Sequence, residues 1–182
     1  MDQIKPLEDK LAGVFKNLPQ LPEQTKKSLV KFFEWISIIF GVLQVIAVVS
    51  LWSVGHRVNE ISSLVNEYSR FYNGQTTVPG LSVFYYIALA FLAVSAVTLL
   101  LAYPGLKARK KVGWNWLFVG TLVNLLYGVS SVFINSYYGG GGGRLFSSIL
   151  GSAISFYLLF QVRDQYATHR AAKPAASTTD KK

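Results

Sequence analysis

Four stretches without a single Asp, Glu, Lys, Arg or His constrain this chain more than any other feature: Trp35 to Val54 (20 residues), Leu81 to Tyr103 (23), Val112 to Tyr138 (27) and Leu145 to Val162 (18). Together they hold 88 of the 182 residues, so all 27 Asp, Glu, Lys and Arg side chains crowd into the other 94. Charge-free runs of this length are what the hydrocarbon core of a bilayer demands of a helix, and four of them exceed what a soluble core of this size would use. The sequence therefore predicts an all-α integral membrane protein: an antiparallel bundle of four transmembrane helices. A water-soluble enzyme and a disordered chain are excluded, and so is a nucleic-acid-binding domain, despite a pI near 9.8.

The basic residues give the layout a direction. Of the 18 Lys and Arg, 15 fall before Trp35, between Pro104 and Lys111, or after Val162; three fall in the two alternate segments. Positive charge is retained on the cytoplasmic side during insertion, which places both termini in the cytoplasm of a multi-pass cell-membrane protein. Trp35, Tyr103, Trp114 and Trp116 would mark the inner interface, and Trp52, Tyr85, Tyr86, Tyr137 and Tyr138 the outer one. Residues 1 to 34 carry five acids and three prolines ahead of the first apolar run, unlike a cleavable signal, so Trp35 to Val54 is expected to remain as a span. With no cysteine, disulfide frameworks, thiolate nucleophiles and Cys-based metal sites are closed. The chain contains no Asn-x-Ser/Thr sequon, which suits a bacterial source.

Outside the spans, three segments carry a pattern. Residues 1 to 21 read as an amphipathic cytoplasmic helix through Ile4, Leu7, Leu11, Val14 or Phe15, and Leu18, lying either on the lipid leaflet or against the helix ends. A second helix is expected to start at Pro22 and run into the first span. Between residues 56 and 73, Val58, Ile61, Val65, Tyr68 and Tyr72 alternate steps of three and four, and Val58-Asn59-Glu60-Ile61-Ser62 nearly repeats as Val65-Asn66-Glu67-Tyr68-Ser69. Two heptads predict an outer amphipathic helical segment, either lying on the surface or continuing the first span. Asn73-Gly74 ends it. The five glycines 139 to 143 predict a flexible outer hairpin, and the tail from Lys173 to Lys182 predicts disorder. The membrane domain spans residues 22 to 172.

Chemistry inside the spans is limited by the absence of an ionisable side chain. Proton coupling, pumping and carboxylate or histidine catalysis in the membrane all need one, which argues against an enzyme and gives no cofactor or metal to place. Neutral polarity remains: Gln44, Asn124 and Thr121 are expected either to hydrogen-bond between helices or to line a polar path. Small residues supply close approach: Ser147, Gly151 and Ser155 on the fourth span against Gly120, Asn124 and Gly128 on the third, or else against a second copy. Lys26, Lys27, Lys107, Arg109, Lys110, Lys111 and Arg163 are the candidate contacts for anionic lipid headgroups on the cytoplasmic side. Two functions follow as expectations. One is a non-enzymatic accessory or organising membrane subunit whose partners are the bilayer and a second copy or another membrane protein. The other is a small homo-oligomeric channel or uncoupled transporter for a neutral or small solute.

Overall fold

The structure, a computed structural model, describes residues 5–72, 77–135 and 141–167, with side chains for 5–72, 77–131 and 146–166. The Asn73-Gly74 turn, Tyr137, Tyr138, the first two glycines of the 139–143 run and the tail from Lys173 lie outside the described residues. What is described is helical, without a strand: α1 (Lys5–Lys16), α2 (Glu23–Phe71), α3 (Val83–Lys107), α4 (Lys111–Asn135), α5 (Gly141–Gln161) and α6 (Arg163–Ala167). Three of these, α2, α3 and α4, are long and apolar enough to cross a membrane; the apolar part of α5, Phe146–Gln161, is shorter.

The prolines set the first boundaries. Pro6 sits in the first turn of α1, where its missing N–H costs nothing, and Pro19 and Pro22 keep residues 17–22 out of helix before α2 begins at Glu23. Nothing interrupts α2 afterwards. Its 49 residues run about 74 Å at 1.5 Å per residue, more than twice a bilayer core. The predicted outer segment is thus the second half of the same helix, since no Gly-Pro pair or charge cluster separates it from the first span.

α3 also outruns its charge-free stretch, continuing through Pro104 to Lys107, so the basic turn shrinks to residues 108–110. That turn closes with Lys110 N–H donating to the Gly105 carbonyl at 2.8 Å and Arg109 N–H to that of Leu106 at 3.0 Å, the pair of hydrogen bonds that ends many helices. The residue in the left-handed position is Arg109, at φ 53°, where glycine is usual. At the other end, α5 begins at Gly141, so three of the five glycines expected to form a hairpin are helical. Helix keeps their backbone groups paired beside an apolar segment, which outweighs glycine's poor propensity.

Packing follows chain order, α2 on α3, α3 on α4 and α4 on α5, with α6 touching α2, α4 and α5. The continuous buried cluster sits at one end, where Val30, Ala102, Leu106, Trp114, Leu117, Phe118, Phe156, Leu159, Val162 and Tyr166 converge. This is the basic end of the molecule. Trp114, expected at an interface, is fully buried there instead: its indole N–H donates to the Leu159 carbonyl at 2.8 Å and its ring stacks on Phe118 at 5.4 Å. Burial is possible because the carbonyl of Leu159, freed where α5 ends at Gln161, satisfies the one polar atom the ring carries.

Candidate functional site

At the basic end, α1 is held by a carboxylate on its apolar side. Glu8 is 4% exposed, and one of its oxygens accepts from Lys111 Nζ at 2.6 Å and Arg163 at 2.7 Å; Arg163 also reaches Asp9 at 3.3 Å. Lys111 Nζ lies 3.6 Å from the centre of the Trp114 ring, so the ammonium is shared between an anion and a π face. Leu11 and Phe15 follow Glu8 at steps of three and four and pack on the core, Phe15 stacking on Phe160 at 5.3 Å. Of the alternatives at the fourth position of the stripe, Phe15 is the packed residue and Val14 stays 66% exposed. The described α1 therefore rests against the other helices. The connection into α2 is tied down too: Tyr157 Oη and Gln161 Nε2 both donate to the Pro19 carbonyl, at 2.7 and 2.9 Å, and Gln161 Oε1 accepts from Leu21 N–H at 3.1 Å.

These pairings sort the candidate headgroup contacts. Lys111 and Arg163 are engaged by Glu8, and Lys26 by Glu23 at 3.0 Å. Lys107 leans toward the Tyr103 ring at 5.9 Å, while Lys27 and Lys110 are exposed and Arg109 half-buried at the turn. Beside the turn, Tyr166 is buried and burial pushes its phenol above the usual tyrosine range.

Within the apolar stretch, a groove of about 600 Å³ runs between α4 and α5. Thr121, Asn124, Gly128 and Ser131 line it from α4, and Ser147, Ser148, Gly151, Ser152 and Ser155 from α5. Asn124 and Thr121 are thus together, but Gln44 lines neither this groove nor the smaller apolar cavity that Asn124 borders with Ser95 of α3. Asn124 donates to Ser95 Oγ at 3.4 Å and to the Gly120 carbonyl at 3.0 Å. Gln44 Oε1 is buried with no hydrogen-bond partner among the described residues. Replacing Gln44 with leucine is therefore expected to leave stability unchanged or raise it, because an unpaired carbonyl is exchanged for a side chain that needs no partner. Asn124→Leu loses one weak interhelical bond, about 0.6 kcal/mol. Thermal unfolding in detergent checks both; a large loss for Gln44→Leu would mean the amide has a partner in the membrane.

The small residues do not act as one face. A methyl on Gly120 would come within 2.9 Å of Thr98 Oγ1 of α3, a methyl on Gly128 would fall on Ser148 of α5, and a methyl on Gly151 would meet nothing within 4 Å. Ser147 and Ser155 are exposed, Ser155 donating to the carbonyl of Gly151. Among the described glycines, the closest backbone-to-backbone approach is elsewhere, between Gly105 and Gly113, whose backbones touch across the α3–α4 turn.

At the far end, the sequence repeat acquires a function that its apolar spacing did not suggest. Asn66 brackets Val78, donating to its carbonyl at 3.0 Å and accepting from its N–H at 2.7 Å. Asn59, seven residues earlier, accepts from Leu81 N–H at 2.9 Å and donates to Tyr86 Oη at 2.7 Å. Two asparagines one heptad apart lie on one side of α2 and clamp the irregular segment 77–82 against it. The repeated Asn was the available signal. The apolar members of the same repeat point elsewhere: Ile61 is 60%, Tyr68 67% and Tyr72 81% exposed.

No family model matches this chain, and neither a curated protein nor a solved structure matches it. What defines the protein is its own fold: an all-helical chain with three membrane-length apolar helices. Among the described residues, no group of three His, Cys, Asp or Glu stands close enough to hold a metal ion.

Proposed function

We propose that this is a four-span integral membrane protein, α5 forming the fourth span, with both termini on the cytoplasmic side and a working surface that binds rather than catalyses. The carrying observation is the second half of α2. Trp52 and Tyr86 meet edge-on at 6.3 Å where the apolar stretch ends, and 19 further residues of helix, about 28 Å, project beyond them. Headgroups account for only about 5 to 8 Å of that distance. An apolar stripe held out in water is the mark of a surface that meets another molecule. On the cytoplasmic side, the docked α1 completes the helix ends, and Lys27, Lys107, Arg109 and Lys110 supply the cations for anionic headgroups. In this role the protein is an accessory or organising subunit.

A second reading, a small channel or uncoupled transporter, is favoured by one observation: Asn124 is exposed at mid-span and faces a groove with five serines. The two separate experimentally. The native chain has no cysteine, so single cysteines at Leu64 and Tyr68 are clean probes. In native membranes they are expected to resist a membrane-impermeant maleimide and to react at least tenfold faster once the same membranes are dissolved in sodium dodecyl sulfate, which separates bound partners. Equal reactivity in both would overturn the binding role. Reconstituted vesicles are expected to show no flux of ions or small neutral solutes; flux abolished by Asn124→Leu would establish the channel instead.

A further inference from the structure

Which molecule covers the projecting half of α2 follows from how its sides are used. Ser62, Asn59 and Asn66 face segment 77–82 and Gly55 faces Leu81 and Tyr85, so one side is occupied by the chain itself. At 100° per residue, His56, Glu60, Glu67 and Arg70 fall on a second side and remain in water. The third side carries Val58, Ile61, Leu64, Val65, Tyr68, Phe71 and Tyr72, exposed by 37%, 60%, 56%, 39%, 67%, 86% and 81%. Arg57 alone interrupts it, near the membrane end.

The stripe has the geometry of a helix seam rather than of a pocket. Ile61, Leu64, Tyr68 and Phe71 recur at steps of three, four and three, the spacing of knobs that interlock with a neighbouring helix. It also continues straight into the apolar stretch: Leu43, Ile46, Ser50 and Val54 lie 18 residues, five whole turns, before Ile61, Leu64, Tyr68 and Tyr72, and all four are exposed. Lipid accounts for the exposure of that first half. It does not account for the second, and α2 is the least enclosed of the three membrane-length helices, with 11% of its apolar window buried against 22% and 33% for the others.

We propose that the stripe is covered by the same stripe of a second copy of this chain, the two α2 helices running parallel about a two-fold axis along the membrane normal. The inference rests on the membrane-protein reading above, because a shared bilayer is what fixes the direction. Two copies inserted the same way present identical helices in the same orientation and at the same height, so one seam meets the other in register without any further element. A partner of another kind would have to supply an apolar heptad seam of its own at that height. The area is sufficient: three aromatic and four aliphatic side chains at these exposures offer roughly 700 Å² per copy, so burying most of it in both copies reaches the about 1,200 Å² at which specific interfaces begin. No charge pair is needed, and Glu60 and Glu67 stay outside the contact.

The test is a disulfide scan, for which the cysteine-free chain needs no preparation. Single cysteines are placed at each position from Val58 to Phe71 in the full chain, and membranes are oxidised with copper phenanthroline. Same-residue disulfides are expected to peak at Ile61, Leu64, Tyr68 and Phe71 and to fall at least tenfold at Ser63, Asn66 and Arg70. In detergent, light scattering is expected to give twice the mass of the chain, and Tyr68→Glu, a change at an exposed position, to return it to the single mass with unchanged helicity. Cross-linking without periodicity, or a monomer in both membranes and detergent, overturns the dimer. Cysteines that are protected from maleimide yet never cross-link to each other overturn it in favour of a different protein partner, while the binding role stands. Release of the chain from membranes by alkaline carbonate would overturn the membrane reading itself.

Discussion

Alanine at position 113 or 105 is expected to be the most damaging single methyl that can be added at a described glycine. A Cβ on Gly113 falls on the backbone of Gly105 and Leu106, and one on Gly105 falls on the backbone of Gly113, so no rotamer change relieves either. Ordinary over-packing costs about 1 to 3 kcal/mol because side chains can shift. Here α3 and α4 would have to separate at their crossing, loosening Leu106 and Trp114, both fully buried. The expected loss is therefore at or above the upper end of that range for Gly113→Ala and for Gly105→Ala. The control has the opposite sign: Gly151→Ala meets nothing within 4 Å and exchanges glycine for a better helix former, which is worth about 0.5 to 1 kcal/mol in stability. Thermal unfolding of the three variants in one detergent decides it. Equal stability of Gly113→Ala and Gly151→Ala would mean that the helices do not cross where described.

The contrast also shows how far the sequence carried. Charge-free length located α2, α3 and α4, because an uninterrupted apolar run long enough for a bilayer core is a one-dimensional pattern in the chain. It could not locate the end of α2, because residues 56–71 are equally good helix whether they lie flat or continue a span. Small residues were visible as candidates, but which of them touch depends on crossing angles that no spacing encodes; Gly105 and Gly113 sit eight apart around a turn whose tightness was not evident. Trp114 looked like an interfacial anchor by position and became core through a carbonyl 45 residues away. The Asn59 and Asn66 pair was legible as a repeat, yet its partner, the backbone of segment 77–82, has no side-chain signature. Glu8 was the hardest to see, since an acid on the buried side of a surface helix makes sense only beside Lys111 and Arg163, more than 100 residues on.

Glu8 gives the second large effect, and the order of its variants is more telling than any one of them. Glu8→Gln keeps the shape and loses the charge. Lys111 and Arg163 are about one-third exposed, so each can rehydrate, and the expected cost is that of the lost charged hydrogen bonds, about 1.5 to 3 kcal/mol. Removing both cations instead, by Lys111→Gln with Arg163→Gln, leaves a carboxylate that is 6% exposed with no counter-charge, and breaking a buried pair from that side costs about 3 to 5 kcal/mol. The double variant should therefore release α1 further than Glu8→Gln does, and adding Glu8→Gln to it should partly restore docking. A 12-residue helix is marginal in water on its own, so α1 unfolds once it leaves Phe160, and its amide exchange reports the docking equilibrium directly. Protection in α1 is expected to fall roughly 10-fold to 150-fold in Glu8→Gln, more in the double variant, and to recover in the triple. If the triple variant exchanges faster than the double, the cations hold α1 through something other than Glu8; if none of the three changes exchange in α1, it is Leu11 and Phe15 that keep it in place.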